Sequence, residues 1–298
     1  MTLSRRTFVG QALAGTAALA ALPLLPSLAR AADDDLNITL GLCTYQWGKD
    51  WDLPTVIANC EKAGVKGVEL RVEHAHKVSP SLTEAERAAV REKFESSKVQ
   101  LIGLGTNQAF DSPDPAKLKA SIEMAKQFVT LSHDIGGTGV KVKPNDFQKD
   151  VPHEKTIEQI GKSLNELGEF AEGYGQQIRL EVHGSCCELP TIKAIMDVAK
   201  DPNVAVCWNS NPQDLTGAGL AGNFALVQKR LGATTHVREL EYEKYPTQDL
   251  LNLLVKAKYE GWVLIESSNI PKDIVAALAD QEKRFNDMLA KAIAAAKQ

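Results

Sequence analysis

Eight short runs rich in apolar and β-branched residues, each separated from the next by a stretch of helical period, constrain this chain more than any other feature. They are ITLGLCTY (38–45), KGVELR (66–71), VQLIGLG (99–105), GVKVKP (139–144), IRLEVH (178–183), VAVCWNS (204–210), HVREL (236–240) and WVLIESS (262–268). Runs of that length read as buried strands. The segments between them, such as LPTVIANCEKAG, TEAERAAVREKFESS and EKTIEQIGKSLNELGEFAEGYG, read as helices, several closed by a glycine suited to a left-handed C-terminal position. Strand and helix alternating eight times predicts an α/β protein built as a closed parallel (β/α)8 barrel. An open doubly wound sheet would carry a glycine-rich phosphate turn after its first strand, and CTYQWGKDW has none.

The barrel is assigned to residues 32–298. Residues 1–31 read differently: Arg5 and Arg6 precede an Ala/Leu-rich run reaching Leu28, and ARA at 29–31 resembles a small-residue cleavage site. That arrangement is expected of a twin-arginine export signal and a periplasmic or other extracytoplasmic destination. A membrane anchor is the alternative, opposed by Pro23 and Pro26 within a short, Ala-rich run. Setting these residues aside leaves 267 of 298 and moves the formal charge from -4 to -7, because Arg5, Arg6 and Arg30 go with them. An acidic body excludes nucleic-acid binding by phosphate neutralisation. The five cysteines, at 43, 60, 186, 187 and 207, show no paired metal-ligand spacing and are expected to be reduced, small core fillers.

In a barrel of this kind chemistry gathers at the carboxyl ends of the strands. Those ends carry Glu69 and Arg71, Lys143, Glu181 and His183, Asn209, His236 and Arg238, and Glu266. In the fifth run, Arg179, Glu181 and His183 alternate and so share one face. Arg179, deeper, is expected to be structural and to pair with buried carboxylates, and His183, at the mouth, to face substrate. Glu181, Asn209, His236 and Glu266 come from four successive strands. Together they form a hard, oxygen-rich donor set suited to Mn²⁺ or Mg²⁺, with Zn²⁺ as an alternative. Lys143, Arg71, His183 and Arg238 are candidates to supply positive charge or hydrogen bonds to a developing anion, although Arg71 and Lys143 also suffice to balance Glu69. Trp47, Trp51 and Trp208 are candidates for an apolar floor of the site, with a core role for Trp208 the alternative. EHAH at 73–76 resembles a metal pair but falls in a loop past the second strand.

With GVELR, LEVHG, CWN, HVRE and LIESS in this order, the chain resembles the xylose isomerase-like barrel superfamily, which includes sugar isomerases, sugar epimerases and endonuclease IV. The resemblance implies a divalent ion held at the positions of Glu181, Asn209, His236 and Glu266. It also implies that the two glutamates move a proton beside a carbonyl. Two departures stand out: Asn209 replaces the usual Asp, and Pro212 replaces a His that usually contacts substrate. A missing carboxylate predicts weaker metal binding.

The resulting expectation is a metal-assisted carbohydrate isomerase or epimerase, or a lyase acting on a keto-glycoside, with a small sugar as its partner. Glu181, Glu266 and Lys143 are its catalytic candidates, and His183, Arg238, Glu69, Arg71 and Trp208 its substrate contacts. A barrel that only binds a sugar or a partner remains an alternative. An endonuclease IV-like phosphodiesterase is disfavoured by only six histidines and by the export signal. Oligomeric state is left open. The export reading predicts that replacing both Arg5 and Arg6 with Lys leaves precursor in the cytoplasm, which fractionation and immunoblotting would detect.

Overall fold

A computed structural model of the protein describes residues 36–298, so the expected export signal lies outside the described residues. The chain runs β1 (Ile38–Cys43), α1 (Leu53–Ala63), β2 (Gly67–Arg71), α2 (Glu84–Glu95), β3 (Gln100–Ala109), α3 (Pro115–Asp134), β4 (Gly139–Lys143), α4 (His153–Glu172), β5 (Gln177–Glu181) and α5 (Leu189–Val198). It continues with β6 (Val204–Asn209), α6 (Gly219–Val227), β7 (Leu231–Val237), α7 (Thr247–Lys256), β8 (Gly261–Ile265) and α8 (Ile274–Ala296). The strands pair in sequence order, all parallel, and β8 returns to β1 with Ile38 opposite Gly261 and Leu42 opposite Ile265. The expected closed (β/α)8 barrel is present.

Local chemistry sets the helix ends. Asp52 Oδ1 accepts from Thr55 N at 2.9 Å and begins α1, and Gly64, at φ 80°, ends it in the left-handed conformation. Thr83 and Glu86 form a reciprocal capping box at the start of α2. Among the described residues, no helix is long and apolar enough to cross a membrane. All five cysteines are buried and free; Cys60, Cys186 and Cys187 fill the apolar layer as expected, whereas Cys43 and Cys207 turn into the polar interior, Cys43 Sγ lying 3.7 Å from Glu69 Oε1 and 3.6 Å from Glu266 Oε1 and Cys207 Sγ 3.5 Å from Thr234 Oγ1.

Alternation along each strand separates two interiors. Outward residues such as Leu40, Leu70, Val142, Leu180, Val206 and Val263 join the helices in one large apolar layer. Inside the barrel the apolar cluster is small: Cys43, Ile102 and Leu264, with Trp262 against it. Much of the remaining inner volume is polar and buried, including Glu69, Lys141, Arg179, Glu181 and His236.

Two long side chains cross the amino-terminal end of this interior over glycines. A Cβ on Gly67 would lie 2.5 Å from the Trp262 ring, and one on Gly139 would lie 2.8 Å from Arg179 Cζ. Arg179 does not pair with carboxylates. Its Nη2 donates to Thr138 Oγ1 at 2.7 Å, its Nε to Gln177 Oε1 at 3.0 Å and its Nη1 to the Ile102 carbonyl at 3.3 Å. It ties β3, β4 and β5 together through neutral acceptors because the glutamates sit one layer nearer the mouth.

One strand is misplaced by the hydrophobic pattern. β7 covers Leu231–Val237, so HVREL begins at the strand's end and Arg238 lies beyond it. LGATTH is small and threonine-rich because the site demands it: a Cβ on Gly232 would come within 2.8 Å of Gln177 Oε1 and 3.0 Å of Ala205 Cβ. Arg179→Met is expected to lower stability in urea unfolding by about 2–4 kcal/mol, since the fully buried guanidinium ties three acceptors together and their charged donor is lost.

Candidate active site

The carboxyl-terminal mouth brings a ring of charge to one layer. Glu181 is the last residue of β5 and lies opposite Cys207, and Asn209 of β6 lies opposite His236 of β7. His236 is fully buried between three glutamates. Its Nδ1 is 3.1 Å from Glu266 Oε2 and 3.7 Å from Glu181 Oε1, and its Nε2 is 3.2 Å from Glu69 Oε1. Glu266 follows β8 directly and also meets Arg71, whose Nη1 is 3.4 Å from Oε1.

The residue that completes the layer is Lys141, which the sequence reading passed over in favour of Lys143. Both lysines of GVKVK face inward. The deeper one places Nζ 2.5 Å from Glu181 Oε2, with both side chains buried. Lys143 stands nearer solvent, its Nζ 3.3 Å from Asn107 Oδ1, an oxygen it shares with Arg71 Nη2 at 3.0 Å. Asn209 Nδ2 donates to Glu181 Oε1 at 3.0 Å, so both oxygens of Glu181 are engaged by the chain's own donors.

Other expected residues fall elsewhere. Trp208 does not face substrate. It alternates with Asn209 and so points outward, where it is fully buried against Phe224 with its Nε1 3.1 Å from Tyr245 Oη. Arg238 lies at the rim, its guanidinium 4.2 Å from the Tyr242 ring centre. Glu69 is fully buried beneath His236 rather than open to the mouth, and it touches Cys43, whose Sγ is 3.7 Å from Oε1. Trp47 is fixed by donation from Nε1 to the Asn269 carbonyl. In EHAH, both nitrogens of His76 are used internally, with the Arg71 carbonyl at 2.7 Å and Val78 N at 3.0 Å. His183 does lie at the mouth, half-buried, with an unpartnered Nδ1.

The electrostatics follow from burial opposed by neighbours. Burial alone would raise the pKa of Glu181, but Lys141 and then His236 pull it well below the carboxylate range. Burial likewise opposes ionisation of Glu266, and His236 outweighs it, lowering the pKa to about 2. Glu69 is lowered in the same sense, with His236, Lys141 and Arg179 overcoming burial. Lys141 itself stays protonated, because Glu181 and Glu266 outweigh its desolvation. At the rim, burial lowers Lys143, helped by the nearby Lys141 charge, and lowers His183 despite Glu181.

A divalent ion is the group that the earlier resemblance implies here, and the donors test it. Glu181, His236 and Glu266 offer atoms all within 4.8 Å of one another. Two features oppose a resident ion. Asn209 turns its amide N–H toward Glu181 instead of supplying a carboxylate, and Lys141 already holds the other Glu181 oxygen. Charge is also offset without an ion: Lys141 meets Glu181, Arg71 meets Glu266, and His236 lies against Glu69, Glu181 and Glu266, as buried charges require. The donor set does not fit a tightly held divalent ion.

The chain is thus a closed parallel barrel with Glu181 and Glu266 at the carboxyl ends of its strands. The sequence profile of the xylose isomerase-like TIM barrel family matches residues 57–211, just over half of the 298 residues, and the chain belongs to that family. No curated protein sequence matches it. Among solved structures, an L-ribulose 3-epimerase superposes with a TM-score of 0.75 at 15% identity, covering 87% of this chain and 97% of its own. YcjR, a 3-keto-D-glucoside 4-epimerase from E. coli, gives 0.72 at 12% identity, covering 84% and 100%. IolI with a bound zinc gives 0.68 at 16% identity, covering 85% and 98%.

Glutamates whose folded pKa is depressed stabilise the fold above their unfolded value of about 4.3, and that contribution is lost as pH falls through the folded values. The thermal midpoint is therefore expected to hold from pH 7 to about 5 and to fall steeply below about 4. Glu266→Gln should flatten that fall, as midpoints collected across the pH range would show.

Proposed function

We propose that this barrel is a sugar epimerase or isomerase that moves a proton on a carbon beside a carbonyl. The observation that carries the reading is the pair Glu181 and Glu266, oxygens within 4.8 Å, held ionised at the mouth on either side of His236. Two carboxylates are what such a reaction uses: one takes the proton and another returns it. The names of two structural neighbours, an L-ribulose epimerase and a keto-glucoside epimerase, support the same class by analogy of fold.

A carboxylate held near pKa 2 is a weak base, and substrate relieves that. A sugar oxygen that takes over donors of Lys141 or Arg71 withdraws positive charge from Glu181 and Glu266 and raises their basicity. One glutamate then removes the proton of the C–H bond beside the carbonyl, and the electron pair moves onto the carbonyl oxygen as an enediolate. Lys141 and Arg71 stabilise that oxygen in a site screened from water. His236, whose Nδ1 lies between the two carboxylates, passes the proton from the glutamate that took it to the other one, and return from that second glutamate to the opposite face of the same carbon inverts it. Return to the neighbouring carbon, with the hydroxyl proton moving in the opposite sense, exchanges ketone and aldehyde. His236 orients both carboxylates, while His183, Lys143 and Arg238 stand where the rest of the sugar enters.

A binding-only barrel is the second reading, favoured by the engagement of both Glu181 oxygens. Ketoses and 3-keto-glycosides incubated in D₂O separate the two. The catalytic reading expects deuterium to enter the carbon beside the carbonyl, seen by NMR. Glu181→Gln and Glu266→Gln should each slow exchange by about 10²–10⁴-fold, the usual worth of a general base. Calorimetric sugar binding with no exchange on any substrate would overturn the enzymatic reading.

A further inference from the structure

The layer that would surround a divalent ion contains a cation supplied by the chain. We infer that the Lys141 ammonium group occupies that role permanently, so that the barrel works without a resident metal. This rests on the proton-transfer reading for its chemical consequence, but the ion question is decided independently of activity.

Position makes the first argument. Lys141 Nζ bonds Glu181 Oε2 at 2.5 Å, and no surface is available to either group. Lysine is seldom fully buried without a partner, since desolvating the ammonium group is expensive. Glu181 uses one of its three N–H donors, and a substrate oxygen reaches the other two by displacing the side chains that cover the group. An ammonium group so placed can neutralise an enediolate through hydrogen bonds, with its orientation set before substrate arrives.

Asn209 makes the second argument. A carboxylate there, beside Glu181 and opposite His236, would bring a fourth acid to the layer and favour an ion. Asn209 removes that charge and spends its N–H on Glu181 Oε1. The lysine and the asparagine act in the same direction: each lowers the affinity of the cluster for M²⁺, since Lys141 holds Glu181 Oε2 and Asn209 holds Glu181 Oε1. An incoming ion would have to detach Lys141 from Glu181, reverse the Asn209 amide and sit beside an ammonium group of like charge.

The test uses the full mature chain, dialysed against chelator and titrated with Mn²⁺ and with Zn²⁺ by calorimetry. The wild type is expected to show no saturable site up to millimolar ion, and its D₂O exchange should be unchanged by chelator. The double variant Lys141→Met, Asn209→Asp should gain one saturable site at least 100-fold tighter, with Lys141→Met alone falling between the two. One equivalent of either ion retained by the dialysed wild type would overturn the inference. So would a correctly folded double variant, checked by circular dichroism, that gains no site. If the variant does not fold, the wild-type titration and metal content still decide. Absence of exchange together with the expected titrations would overturn the proposed reaction and leave the Lys141 assignment standing.

Discussion

The contact between Lys141 and Glu181 governs the rest of the mouth. Without the ammonium group, Glu181 would be a buried carboxylate close to Glu266, and one of the two would take up a proton, as like charges in a shared site do. With it, both stay ionised and His236 is held between acceptors on either side. The position of every other group in the layer follows: Asn209 against the second Glu181 oxygen, Arg71 against Glu266 and Glu69 beneath the imidazole. Stability and reactivity therefore draw on the same network. Tight pairing preserves ionisation at the expense of basicity, and only a ligand that competes for the cations restores it.

Much of the architecture could be read from the chain because strand cores dominated by large apolar residues announce themselves. Seven of the eight runs overlap their strands closely. The seventh did not, since LGATTH is built of small and hydroxylated residues that a neighbouring glutamine and alanine leave room for, and hydrophobic pattern has little to detect there. Trp208 shows a different failure. Residue type suggested a stacking platform, whereas simple alternation with Asn209 sends it outward to Phe224 and Tyr245.

Depth was the information least available. Lys141 and Lys143 lie on the same face of one strand, and a charged residue at a strand end attracts attention before one set two residues further in. Yet register decides which reaches the carboxylates: Lys141 pairs with Arg179 across to β5, one inward position below Glu181. Arg179 was placed at the right level for a structural role but given the wrong partners, because the hydroxyl of Thr138 and the carbonyl of Ile102 are invisible to a search for opposite charge.

Arg179 and Trp262 pack across the amino-terminal end of the barrel interior, so the buried charge is approached from the carboxyl-terminal mouth. Whatever enters must leave by the way it came, past His183, Lys143 and the Arg238–Tyr242 stack. Such a dead end suits a rearrangement in which one molecule goes in and one of equal size comes out, since no fragment has to be cleared before another can depart. It also places His183, Lys143 and the Arg238–Tyr242 stack between solvent and the buried charge.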